Sequence, residues 1–208
     1  MSDIRKGLVQ AALNKSVALI DDVNNFHKRH EFKQQTILAD NSLTNDEKAY
    51  AIRELNIVYD RNKVHNNEGT KRICENCSQE CLATLYCELC VRNYLKANFP
   101  NWTSGNDDID NLIRECQLET LYPQMVIEWI PYDKLQNIKY LTEGGCSKIY
   151  TADWIDGGRY FEWNSKKQQL TREYEFEELV VQNVVLKRLE NVENANKRWL
   201  EEVSNLNI

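Results

Sequence analysis

The chain has 208 residues, 28% of them charged and 42% hydrophobic, which suits one or two compact units with ordinary cores. Its formal net charge of −6 repels a nucleic-acid duplex on average, and no Lys/Arg block stands out against that balance. No apolar run approaches the roughly 18 residues of a membrane helix, and Met1–Lys6 lacks the apolar stretch of a secretion signal. The expectation is a cytoplasmic protein with no membrane and no nucleic-acid partner. The seven cysteines then belong to a reducing compartment, where metal ligation or free thiols outweigh disulfides.

Residues 1–70 read as a helical region. Ile4, Leu8, Ala11, Leu19, Val23 and Phe26 approximate one stripe at helical spacing, with Ser2 as N-cap. A second helix begins at Thr44, which forms a capping box with Glu47, and Ile52, Leu55 and Val58/Tyr59 supply its apolar face.

Residues 71–99 form a cysteine-dense, zinc-ribbon-like module. Cys74-x2-Cys77 and Cys87-x2-Cys90 are two knuckles nine residues apart, with Cys81 between them. A C-x2-C turn aims two thiolates at one point, so two such turns complete a tetrahedral sulfur shell that favours Zn²⁺. Cys81 can stand in for one of the four, and neither knuckle carries the glycine that often follows such pairs. Buried or free thiols are the other reading of the same residues. A full sulfur shell leaves no open position, so the expected zinc is structural. Lys71 and Arg72 lie beside the first knuckle, where they would offset thiolate charge.

Residues 100–134 read as a helical and extended linker. Asn101–Asn106 is turn-like, Ile109, Leu112, Ile113 and Cys116 mark a short amphipathic helix, and Pro123 and Pro131 bracket an extended stretch. Cys116 is expected to be a core thiol. From about Leu135 the pattern turns to strands: Ile138–Leu141 and Lys148–Ile155 flank a Gly-Gly turn, and Val184–Leu186 is a β-branched run. Gly157 to Gln182 reads as an exposed loop, and Asn194–Leu206 as a closing helix.

The turn Thr142-Glu143-Gly144-Gly145-Cys146-Ser147-Lys148-Ile149 lets backbone N–H groups approach phosphate oxygens closely, and Lys187 ends the apolar run Val184-Val185-Leu186. Taken singly, these are a hairpin and a strand end. The ordered set of strand, glycine turn, strand, lysine and an acidic segment holding Glu201 and Glu202 is more specific. It resembles protein kinases of the tyrosine-kinase-like group, most closely the large kinase-like families of mycorrhizal fungi. Segments similar to Lys71–Cys77 and Glu128–Tyr132 occur in those relatives, so the resemblance spans nearly the whole chain.

The resemblance implies that residues 135–208 are a partial kinase small lobe. Thr142, Gly144, Gly145, Ser147 and Ile149 become its glycine-rich loop and Lys187 its ATP-pairing lysine. Glu202 is the carboxylate that positions that lysine, with Glu201 in its place if the helix is shifted by one. Thr142 replaces the first glycine, Ser147 the third, and Cys146 the aromatic that caps the phosphates, so ATP should bind weakly or not at all in the isolated chain. The three histidines, His27, His30 and His65, precede the lobe and the last glycine is Gly158. Neither an H-R-D nor a D-F-G motif therefore follows Lys187, and no catalytic residue is assigned.

The fold class expected is α+β: a helical N-terminal region, the cysteine module and an incomplete kinase small lobe. The expected function is that of the N-terminal fragment of a kinase-domain protein without phosphoryl transfer of its own. The alternative is a zinc-stabilised module that binds a protein partner and carries a vestigial kinase-like tail.

Overall fold

A computed structural model describes residues 4–20, 25–144, 147–155, 157–172 and 181–189. It is a mixed helix-and-sheet chain, α+β in class, that divides into two units, Met1–Cys87 and Glu88–Ile208. Among the described residues no helix is long and apolar enough to cross a membrane.

The first unit opens with three helices, α1 (Lys6–Ala18), α2 (Phe26–Ala39) and α3 (Asn45–Asn66), around a core of Val9, Ala12, Ile37, Leu43 and Ala51. The single stripe expected from Ile4 to Phe26 is divided instead. Helix α1 ends at Ala18, and Phe26 opens α2 behind Asn25, whose side chain accepts from the backbone N–H groups of His27 (2.9 Å) and Lys28 (3.1 Å). The buried face of α1 is Val9, Ala12 and Ser16, one position away from the Leu8/Ala11 register expected. Ser2 and Val23 lie outside the described residues.

The capping box forms as expected. Thr44 Oγ1 accepts from the Glu47 N–H at 3.2 Å while Glu47 accepts from the Thr44 N–H at 2.8 Å. Arg5 adds a bidentate pair to the same carboxylate, 2.7 Å on each arm, which ties the start of α1 to the start of α3. After α3 the chain makes two very short strands, β1 (Arg72–Ile73) and β2 (Glu80–Cys81), paired antiparallel.

The second unit carries α4 (Glu88–Asn98) and α5 (Asp107–Glu119), then five strands: β3 (Leu135–Gly144), β4 (Ser147–Ile155), β5 (Tyr160–Asn164), β6 (Gln169–Arg172) and β7 (Val181–Leu189). Strands β3, β4 and β7 form an antiparallel sheet in that order, and β5 and β6 form a separate hairpin.

Over residues 157–172 the hairpin replaces the exposed loop expected from Gly157 to Gln182; residues 173–180 lie outside the described residues. Trp163 and Leu170 are buried and paired across the two strands, and Tyr94 of α4 meets Trp163 edge to face at 5.9 Å. Aromatic burial outweighs the polar residues between them. Arg172, at the end of β6, is bound bidentately by Glu128 (2.8 and 2.5 Å), donates to the Gly158 carbonyl and lies 4.1 Å from the Tyr160 ring centroid. The closing helix expected over Asn194–Leu206 lies outside the described residues.

Candidate metal centre and the glycine turn

The first knuckle is the turn between β1 and β2. Cys74 N–H donates to the Gln79 carbonyl at 2.8 Å, and Ser78 N–H returns to the Cys74 carbonyl at 2.9 Å, closing the loop on itself. Ser78 has φ +57°, the left-handed conformation that glycine adopts without steric cost. It occupies the place of the glycine missing from the motif. The second knuckle begins at Cys87, immediately before α4, so Cys90 lies on the first turn of that helix.

The Sγ atoms of Cys74, Cys77, Cys87 and Cys90 all lie within 4.8 Å of one another, a group able to hold a metal ion. Cys77 and Cys87 are 3.7 Å apart, far beyond the ~2.05 Å of a disulfide. Tetrahedral geometry with Zn–S near 2.3 Å requires sulfurs about 3.8 Å apart, so this spacing matches a shared ion. Cys74, Cys87 and Cys90 are buried, and Cys77 is half-buried. The Cys77 backbone N–H holds the Cys74 thiol down to about 6, with the Asn76 N–H and the neighbouring thiols of Cys77 and Cys87 adding to the effect, so it ionises readily near neutrality. Cys81 is buried in a different grouping, with Cys87 and Glu88.

Two residues hold the loop between the knuckles: Asp60, to which sequence reasoning gave no role, and Arg72, which it set beside the thiolates. Asp60, 1% exposed on α3, accepts from the backbone N–H groups of Thr84 and Leu85 at 2.7 Å each. Arg72 Nε donates to the Ala83 carbonyl at 2.7 Å and its Nη2 to the Tyr86 carbonyl at 2.6 Å. Arg72 thus clamps the loop, a contact beyond the charge compensation expected of it. Lys71 pairs with Glu80 at 3.0 Å on the surface. The only sequence signal for Asp60 is an acidic residue near the buried positions Lys63 and Val64 of α3.

The glycine turn joins β3 to β4, and Gly144 pairs with Ser147 at its mouth. Register then aligns three residues across the sheet: Thr142 opposite Ile149, and Ile149 opposite Lys187. Directly opposed residues share a face of the sheet, so these side chains lie in one row two residues from the turn. Lys187 is exposed there. Gly145, Glu201 and Glu202 lie outside the described residues. Cys116 is half-buried on α5, where burial pushes its thiol up. An open groove of about 640 Å³ between the three N-terminal helices, walled by Leu13, Phe26, His30 and Tyr59, contains none of the binding or metal-site residues assigned from sequence.

No family model, curated protein or solved structure matches the chain.

Proposed function

We propose that the chain is a zinc-stabilised protein-interaction module in which Cys74, Cys77, Cys87 and Cys90 bind one structural Zn²⁺. The observation that carries this reading is the mutual approach of four thiols within 4.8 Å from two knuckles in the required spacing. Four sulfur donors select zinc over magnesium or calcium, and they leave no coordination position for water or substrate. Metal binding then acts through the fold, presenting the surface of the module to a protein partner.

The test is metal analysis of the full chain purified under reducing conditions. One zinc per chain is expected, lost in Cys74→Ser and Cys90→Ser and kept in Cys81→Ser and Cys116→Ser. Cobalt(II) substitution should give the absorption of a tetrahedral thiolate site. A folded, zinc-free wild-type chain would overturn the reading.

The row Thr142–Ile149–Lys187 beside the glycine turn favours a second reading, a kinase-type nucleotide lobe. In it the loop N–H groups meet phosphate oxygens and the Lys187 amine pairs with the α- and β-phosphates, held by Glu202. Calorimetric titration with Mg·ADP separates the readings. Binding that disappears in Lys187→Ala supports a nucleotide lobe; no binding by a zinc-loaded, folded chain leaves the tail vestigial.

A further inference from the structure

The two edges of the β3-β4-β7 sheet are built differently. β3 is interrupted by two register shifts, between Gln136 and Lys139 and between Tyr140 and Thr142, with Asn137 at φ +51°. Such bulges twist an edge and spoil it as a pairing template. β7 has none. All nine of its residues pair in unbroken register with β4, from Val181–Ile155 to Leu189–Ser147. Among the described residues β7 is the outer strand on its side, so its second row of backbone donors and acceptors faces away from the sheet.

The sequence of this strand is symmetric about its centre. Val181-Gln182-Asn183-Val184-Val185-Leu186-Lys187-Arg188-Leu189 reads apolar and polar alike in both directions from Val185. Antiparallel pairing of two copies about Val185 sets Val181 opposite Leu189, Gln182 opposite Arg188, Asn183 opposite Lys187 and Val184 opposite Leu186. Every apolar residue meets an apolar one, and each cation meets a neutral amide. Moving the dyad to Lys187 would put the two lysines against each other, which is destabilising. Val185 and Val181 are 65% and 51% exposed, and this arrangement gives both an apolar neighbour.

We infer that the outer edge of β7 is a homodimerisation surface, pairing antiparallel with β7 of a second copy of this chain about a two-fold axis at Val185. The interface is isologous, so it closes at two copies and joins two three-stranded sheets into one of six strands. It rests on neither functional reading given above.

The experiment is sedimentation of the full chain, purified under reducing conditions, over a range of concentrations. A monomer–dimer equilibrium is expected. Val185→Lys, at an exposed position, should give monomers with an unchanged far-UV spectrum, because it places two like charges on the axis. Asn183→Lys fixes the register. Within one chain it sits opposite Asp153, which tolerates a cation, but it faces Lys187 of the second copy, and the symmetry makes this clash twice. At about 0.2–1 kcal/mol per cross-strand pair, the dimer should weaken roughly two- to thirtyfold, and adding Lys187→Glu should restore it. A wild-type chain that stays monomeric, a dimer that survives Val185→Lys, or growth beyond two copies would each overturn the inference.

Discussion

Asp60→Ala is the sharpest perturbation of the candidate metal centre that touches no cysteine. The Asp60 carboxylate is buried on α3 and accepts two backbone N–H bonds of 2.7 Å from Thr84 and Leu85, in the loop that carries the chain from β2 to Cys87. Hydrogen bonds to a charged acceptor contribute about 1.5–3 kcal/mol each. Losing both costs about 3–6 kcal/mol, a large share of the roughly 5–15 kcal/mol that holds a domain folded. Asp60→Asn keeps one acceptor but turns an amide NH₂ toward the other donor, so it should recover no more than half. All five tryptophans, Trp102, Trp129, Trp154, Trp163 and Trp199, lie beyond Cys87, so their fluorescence reports the second unit. Urea unfolding followed by far-UV circular dichroism therefore captures the helical unit that fluorescence does not see. Asp60→Ala should move the circular-dichroism transition to lower urea and weaken zinc retention against a chelator. An unchanged transition would refute the assignment of the Asp60 carboxylate as the anchor of the loop.

Four further outcomes follow from the same geometry. Glu47 is held down to about 2, first by Arg5 and then by the Thr44 N–H, so its folded pKa lies below its unfolded value of about 4.3. Its stabilising effect is present above that unfolded value and is lost as pH falls toward 2, and Glu47→Gln should flatten this part of the acid unfolding curve. Ser78→Gly relieves a left-handed residue and should raise stability by up to about 1 kcal/mol, read as a higher urea midpoint. A Cβ at Gly157 would stand 2.0 Å from the Trp154 ring, so Gly157→Ala should cost about 1–3 kcal/mol and shift the tryptophan emission. Arg172→Met strands Glu128, whose side chain is 18% exposed, and should destabilise the second unit by about 2–4 kcal/mol; Arg172→Lys should rescue little, because an ammonium cannot form the bidentate pair.

Features written over a few neighbouring residues were legible in the sequence. The Thr44/Glu47 box needs four consecutive positions, the knuckles need two C-x2-C pairs, and the strands on either side of Gly144 need only β-branched and aromatic runs between turn residues. Partners distant along the chain were not legible. Arg5 meets Glu47 because the helices fold over one another, Asp60 meets Thr84 because the loop before Cys87 returns to α3, and nothing local to those residues announces it. The β5–β6 hairpin was hidden by composition. Its strands hold Glu162, Asn164, Gln169 and Arg172 beside Trp163 and Leu170, so an average over the stretch reads polar while the pairing buries the two apolar side chains. The division between α1 and α2 was missed because the apolar positions before and after it continue the spacing of one helix, while the Asn25 cap that separates them is a single residue.

The proposed zinc fits how little regular structure the cysteine segment has. β1 and β2 are two residues each, and a two-stranded hairpin of that length does not hold itself in water. The loop from Leu82 to Tyr86 makes no strand or helix, and the carboxylate of Asp60 and the guanidinium of Arg72 are among its polar anchors. Yet Cys74, Cys81, Leu82, Ala83, Tyr86 and Cys87 are all buried. Ordering a segment of this kind costs roughly 1–2 kcal/mol per residue in backbone entropy, which the bonds from Asp60 and Arg72 offset in part. Binding free energies of about 10–16 kcal/mol are available from a structural zinc, and because a preformed site rarely exists in the unfolded chain they act as folding free energy. In the zinc-bound state proposed above, Asp60 and Arg72 would hold the loop that leads to the second knuckle, and the metal would supply the rest. On this argument removing zinc should unfold residues 72–87 while the core of Val9, Ile37 and Ala51 persists, and hydrogen exchange with and without chelator should show protection lost first at Thr84 and Leu85.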